Sequence, residues 1–127
     1  MAFEVVGLDH VQLAMPDGGE AEAEAFYAGR LGFVRRPKPE PMASRGGCWF
    51  QAGAAALHLG VEGDFRPARK AHPALVVREL AGLMESLTEA GIEVRANEDQ
   101  APGASCYVDD PFGNRLELLD LALLSGD

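Results

Sequence analysis

The chain has 127 residues, the size of one compact domain, with 47% apolar and 24% charged residues, which excludes a disordered chain and a separate cofactor domain. Twenty acidic against eleven basic side chains give a formal net charge of -9, which argues against binding the phosphate backbone of nucleic acid. No uncharged stretch approaches the roughly 20 residues a bilayer requires, and Met1-Ala2-Phe3-Glu4 lacks the basic start of a signal peptide, so a cytoplasmic protein with no membrane partner is expected.

In chain order, residues 8 to 15 alternate apolar and polar as a strand. Asp17 is placed to cap the next helix, with Glu20, Glu22 and Glu24 beside the positive end of its dipole. Phe26, Tyr27 and Leu31 form its apolar stripe, and Gly32 ends it. Strands follow near 33 to 36, 47 to 52 and 54 to 61. Between the first two, Arg35 to Gly47 carries Pro37, Pro39, Pro41, Gly46 and Gly47, the composition of an exposed connection. Residues 62 to 71 form a charged loop with Asp64, Arg66, Arg69 and Lys70, and Ala71-His72-Pro73-Ala74-Leu75 opens another strand. Leu80, Leu83, Leu87 and Ala90 recur at helical spacing up to Gly91. Strands near 92 to 96, 104 to 109 and 114 to 121 complete the chain. Asp110-Pro111-Phe112-Gly113-Asn114 joins the last two as a hairpin turn, with Pro presetting φ and Gly and Asn tolerating positive φ.

This order is a repeat. Leu31-Gly32-Phe33-Val34-Arg35 matches Ala90-Gly91-Ile92-Glu93-Val94, and Leu57-His58-Leu59 matches Leu116-Glu117-Leu118, both at an interval of 59 residues. Asp9-His10-Val11-Gln12-Leu13 and Ala71-His72-Pro73-Ala74-Leu75 correspond at an interval of 62. The chain therefore reads as one domain, 1–127, built of two modules at about 5–62 and 70–122, each strand, helix, strand, strand, strand.

All three histidines, His10, His58 and His72, fall at repeat-matched positions, and the fourth such position is Glu117. His58 sits between Leu57 and Leu59, and Glu117 between Leu116 and Leu118, so each points away from an apolar row. One histidine on a strand is usually a hydrogen-bonding residue. Three imidazoles and a carboxylate at matched positions instead suit a divalent transition metal such as Zn, Ni, Co, Mn or Fe. Arg66 and Lys70, in the loop leading to His72, are candidates to hold a substrate anion, against the simpler reading of a solvated loop. With hairpins centred on Gly53-Ala54 and on Phe112, Trp49 lies opposite His58 and Tyr107 opposite Glu117, as walls of a substrate pocket rather than core. Gln12 shares the face of His10 and is a further contact. Cys48 and Cys106 form no CxxC unit and are expected to remain thiols.

Leu8-Asp9-His10-Val11, Phe26-Tyr27 through Leu31-Gly32-Phe33, Ala71-His72-Pro73-Ala74 and Asp110-Pro111-Phe112-Gly113-Asn114-Arg115-Leu116-Glu117-Leu118 carry a resemblance over nearly the whole chain. The chain resembles the vicinal oxygen chelate superfamily, also called the glyoxalase, bleomycin-resistance and dioxygenase family. The resemblance implies an α+β fold of two βαβββ modules forming an open, barrel-like cup, usually in a homodimer whose subunits complete the site together. It places the metal positions on His10, His58, His72 and Glu117. His58 stands where bacterial-type glyoxalase I carries a second glutamate, which leaves Glu117 as ligand and base in one. The implied activities are a small-molecule lyase, isomerase or dioxygenase whose substrate chelates the metal through vicinal oxygens. A fosfomycin-resistance type of thiol transferase is a further implied activity. The non-enzymatic alternative is a metal-free binder that sequesters a drug or metabolite, as bleomycin-resistance proteins do.

Overall fold

The computed structural model of the chain describes residues 2–124. Met1, in the stretch read for a signal sequence, and residues 125–127 of the expected domain lie outside the described part. The elements are β1 (Val11–Met15), α1 (Glu20–Tyr27), β2 (Val34–Arg36), β3 (Cys48–Ala52), β4 (Ala55–Val61), β5 (Ala74–Val77), α2 (Leu80–Glu89), β6 (Arg95–Ala96), β7 (Ser105–Asp109), β8 (Arg115–Asp120) and α3 (Leu121–Leu124).

The strands form two four-stranded sheets ordered β1-β4-β3-β2 and β5-β8-β7-β6, the same order twice. β1 runs parallel to β4 and β5 parallel to β8, while the remaining neighbours are antiparallel. The fold is α+β, with the repeat read from the sequence visible as two copies of one sheet. Gly32 (φ 80°) and Gly91 (φ 82°) end the two helical stretches in the left-handed conformation that L side chains resist.

Strand alternation builds a single core. Leu13 and Met15 of β1, Phe50 of β3, Leu57 and Leu59 of β4, and Leu116 and Leu118 of β8 are buried together with Phe26 and Tyr27 of α1 and Leu80 and Leu87 of α2. Each such leucine contributes about 1.5–3 kcal/mol by leaving water, which pins the register, because a one-residue slip would turn this row outward and His58 inward. Cys48 and Cys106 are buried free thiols, and burial pushes both up in pKa, so they serve as core side chains.

Three local expectations are corrected. Asp17 does not cap α1; Gly19 occupies that position with no side-chain cap, and a Cβ there would lie 2.8 Å from Phe112 Cε1. Close packing of the helix start on the 110–114 turn thus decides the residue. In that turn only Gly113 (φ 92°) takes positive φ. Asn114 is instead fully buried and stitches the modules: its Nδ2 donates to the Ala14 carbonyl (2.9 Å), and its Oδ1 accepts from the Ala68 amide (2.9 Å). Tyr27 Oη adds a third tie, donating to Asp110 Oδ2 at 2.7 Å. Finally, β1 begins at Val11 and β5 at Ala74, so His10 lies one residue and His72 two residues before its strand rather than within it. Pro73 has no N–H to donate to a ladder, although its carbonyl accepts from the Glu117 amide at 3.0 Å. No helix among the described residues is long and apolar enough to cross a membrane.

Candidate functional site

The outward faces of the two sheets carry matched rows. Across the first sheet, Gln12 lies opposite His58, His58 opposite Trp49, and Trp49 opposite Arg36. Across the second, Ala74 lies opposite Glu117, Glu117 opposite Tyr107, and Tyr107 opposite Arg95. Each row sets a metal-ligating type of side chain beside an aromatic one, with an arginine on the outer strand. The juxtapositions of Trp49 with His58 and Tyr107 with Glu117 follow from the two hairpins, as their spacing predicts.

In the first module His58 is sandwiched between two rings. Trp49 stacks on it with centroids 4.0 Å apart and planes 6° apart, and His10 stacks on it at 4.1 Å and 18°. His10 Nδ1 lies 2.8 Å from Asp9 Oδ2; because a carboxylate accepts, the neutral tautomer that fits this contact carries its proton on Nδ1 and leaves the lone pair on Nε2. Burial lowers the His58 pKa below 6.5, and the neighbouring His10 lowers it further, so that imidazole is neutral at physiological pH.

In the second module His72 Nδ1 lies 2.8 Å from the Lys70 carbonyl, which can only accept, and so Nε2 of the neutral ring is unprotonated. That nitrogen faces Glu117 Oε1 at 3.1 Å. A lone pair set against a carboxylate is unfavourable unless a proton or metal cation lies between them, so the donor pair suits a cation. The other carboxylate oxygen is fixed from behind: Ser105 Oγ donates to Glu117 Oε2 at 3.0 Å and Asn97 Nδ2 reaches it at 3.5 Å. Tyr107 meets the His72 ring edge to face at 5.5 Å, and the Arg115 guanidinium lies over Tyr107 at 5.1 Å.

The chain brings these four donors together in pairs. Among the described residues, no three His, Cys, Asp or Glu side chains converge where they could hold one ion. His10 and His72 do line a common cavity of about 380 Å³ between the starts of β1 and β5. Arg66 lines a neighbouring cavity of about 360 Å³ with Gln12 and His72, whereas Lys70 contributes its carbonyl to His72.

Ser105 and Asn97 were not singled out from the sequence. Ser105 was legible there in principle, since it stands two residues before Tyr107 on one strand face; Asn97 has no such signal. A third cavity, of about 260 Å³, is lined by Gln12, Trp49 and Gly60 of the first sheet and by Lys38, Met42 and Arg45 of the connection between β2 and β3. That segment was expected only as an exposed connection.

Residues 7–118 match the family described as the Glyoxalase/Bleomycin resistance protein/Dioxygenase superfamily. A crystal structure described as that of a glyoxalase family protein from Bacillus anthracis is 44% identical, with a TM-score of 0.88 over 94% of this chain and 98% of that one. A virulence protein from Salmonella typhimurium shares the fold at 19% identity, with a TM-score of 0.70 over 93% of this chain and 98% of that one. The genomically encoded fosfomycin resistance protein FosX from Listeria monocytogenes shares it at 16% identity, with a TM-score of 0.71 over 92% and 94%. No curated protein sequence matches the chain.

Proposed function

The chain belongs to the Glyoxalase/Bleomycin resistance protein/Dioxygenase superfamily, and from that premise we propose that it is a metal-dependent enzyme acting on a small molecule with vicinal oxygens, as a lyase, isomerase or dioxygenase. The observation that carries the reading is the commitment of Nδ1 in both His10 and His72 to a hydrogen-bond acceptor, which orients each Nε2 as a ligand. His10 and His58 would hold the ion from one module, and His72 and Glu117 from the other. A bound divalent transition metal, of the Zn, Ni, Co, Mn or Fe group, supplies Lewis-acid stabilisation of an oxyanion.

The protein's own residues do the rest. Ser105 and Asn97 hold Oε2 of Glu117, so Oε1, which faces His72 Nε2, is the oxygen left to bind the ion or take a proton. Trp49 and Tyr107 wall the substrate on the two sheets. Because each module supplies two donors, the reading includes a homodimer in which the first module of one copy meets the second module of the other.

Complementation tests this. A chain with His10→Ala and His58→Ala, mixed with a chain carrying His72→Ala and Glu117→Ala, should regain about one quarter of the wild-type metal per subunit, since half of random dimers contain one intact site. Each variant alone should bind none. Metal loss in both variants without recovery on mixing would put the whole site in one chain. Full-length protein that takes up no Zn, Ni, Co, Mn or Fe would favour the second reading, a metal-free sequestering binder. That reading draws on the continuous Trp49–His58–His10 stack and the net charge of -9, which suit a flat cationic molecule.

A further inference from the structure

The cavity beside Trp49 has a composition at odds with the acidic chain around it. Its charged lining residues are Lys38 and Arg45, and no carboxylate lines it. Lys38 is half-buried, with Nζ donating to the carbonyls of Arg45 (2.5 Å) and Gly46 (2.9 Å), and it makes no salt bridge among the described residues. Two carbonyls close the connection into a fixed loop, and the only carboxylate the ammonium is seen to influence is Glu20, whose pKa it helps to lower without forming an ion pair among the described residues. Arg45 likewise has no ion pair among the described residues. Glu20 on α1 is shared, accepting from the Gly47 amide at 2.8 Å and attracted by Arg35 as well as Lys38, and it does not line the cavity. Two cations lining one cavity that no carboxylate lines favour an anion that brings its own oxygens to them.

The position of this cavity relates it to the site. Trp49 both stacks on His58 and lines the cavity, Gln12 lies opposite His58 across the β1–β4 pair, and Gly60 follows His58 by two residues on the same face of β4. Gly60 keeps the floor open, because a Cβ there would lie 2.5 Å from Gln12 Nε2. Two residues along a strand separate His58 from this floor by about 7 Å.

We propose that Lys38 and Arg45 form an oxyanion subsite, so that the substrate is a small molecule bearing a carboxylate, phosphate or phosphonate in addition to its chelating oxygens. This deepens the functional reading above and rests on it only for which face the substrate occupies. The anion subsite thereby moves from Arg66 and Lys70 to the connection between β2 and β3.

Trp49 is the only tryptophan, so its emission reports on the cavity. The full chain, stripped of metal by chelator and held at constant ionic strength, is titrated with inorganic phosphate, phosphonoacetate, acetate and neutral acetamide. At least one anion should change the emission saturably, acetamide should not, and Arg45→Ala should weaken the response about tenfold, the loss of one charge-assisted contact. Lys38→Met, which keeps the aliphatic stem, should weaken it similarly. Acetate alone, phosphate and phosphonoacetate alone, or all three would distinguish the carboxylate from the phosphorus oxyanions.

The proposal is overturned if no anion gives a saturable change, or if Arg45→Ala, shown folded by circular dichroism, binds as the wild type does. Anion binding seen only after metal is restored would place the anion on the metal, overturning the subsite while leaving the metal reading intact. Anion binding by metal-free protein that cannot be loaded with metal would do the reverse.

Discussion

The indole of Trp49 and the imidazole of His58 lie parallel, 4.0 Å apart, because antiparallel pairing of β3 and β4 sets the two residues directly opposite one another. This contact gives the candidate site an internal reporter, since an imidazolium quenches a stacked indole far more than a neutral ring does.

Tryptophan emission should therefore fall on acidification with a midpoint below 6.5, the ordinary histidine value, because burial and the adjacent His10 both disfavour the charged ring. The linked stability has the same origin. The unfolded chain binds the proton first, so stability conferred by neutral His58 is complete above 6.5, declines as pH falls below it, and levels off below the folded-state value. His58→Gln should abolish the emission transition; a midpoint above 6.5 in the wild type would contradict the burial argument.

Ser105→Ala should lower metal affinity about tenfold by freeing Glu117 Oε2, as loss of an orienting partner typically does. Competition with a chelator of known affinity measures it. Unchanged affinity would show that the serine merely satisfies a buried carboxylate.

Asn114→Ala should cost about 3 kcal/mol, since it removes a fully buried side chain and leaves the part-buried Ala68 amide and Ala14 carbonyl without this partner. Tyr27→Phe should cost only about 1 kcal/mol, because Asp110 retains the amides of Phe112 and Asn114 and the Asn114 side chain as donors. Urea unfolding followed by circular dichroism compares the two. Equal losses would mean that the asparagine does not hold the modules together.

Glu20→Gln should weaken the anchorage of the connection between β2 and β3 by about 1 kcal/mol at neutral pH, allowing for the partial exposure of the carboxylate. The Gly47 amide holds the Glu20 pKa below the ordinary 4.5, so its contribution is present above 4.5 and is lost as pH falls through the lower folded-state value. Wild type and variant should accordingly converge in stability as pH falls below the folded-state value of Glu20. A difference that persists there would assign the effect to side-chain shape rather than charge.

The two-module architecture was legible because it is written in local signals. Left-handed glycines after each apolar helix stripe, alternating strands and two hairpins repeat at nearly constant intervals, and hairpin pairing alone sets Trp49 opposite His58 and Tyr107 opposite Glu117. Such features depend on neighbours within a few residues of one another, where backbone sterics and period-two burial act directly.

Contacts between distant segments were not legible. Asn114 reads as a turn residue but ties Ala14 to Ala68, and Gly19 displaces the cap expected of Asp17 because Phe112 packs against it. Lys38 and Arg45 read as part of a solvated connection, yet that connection folds back to wall a cavity with Trp49. The sequence by itself determined the modules, their faces and the four candidate ligands. Only the tertiary structure decided that these candidates stand in two pairs and that Lys38 and Arg45 line a cavity beside one of them, because docking of sheet, helix and loop depends on shape complementarity that no local pattern encodes.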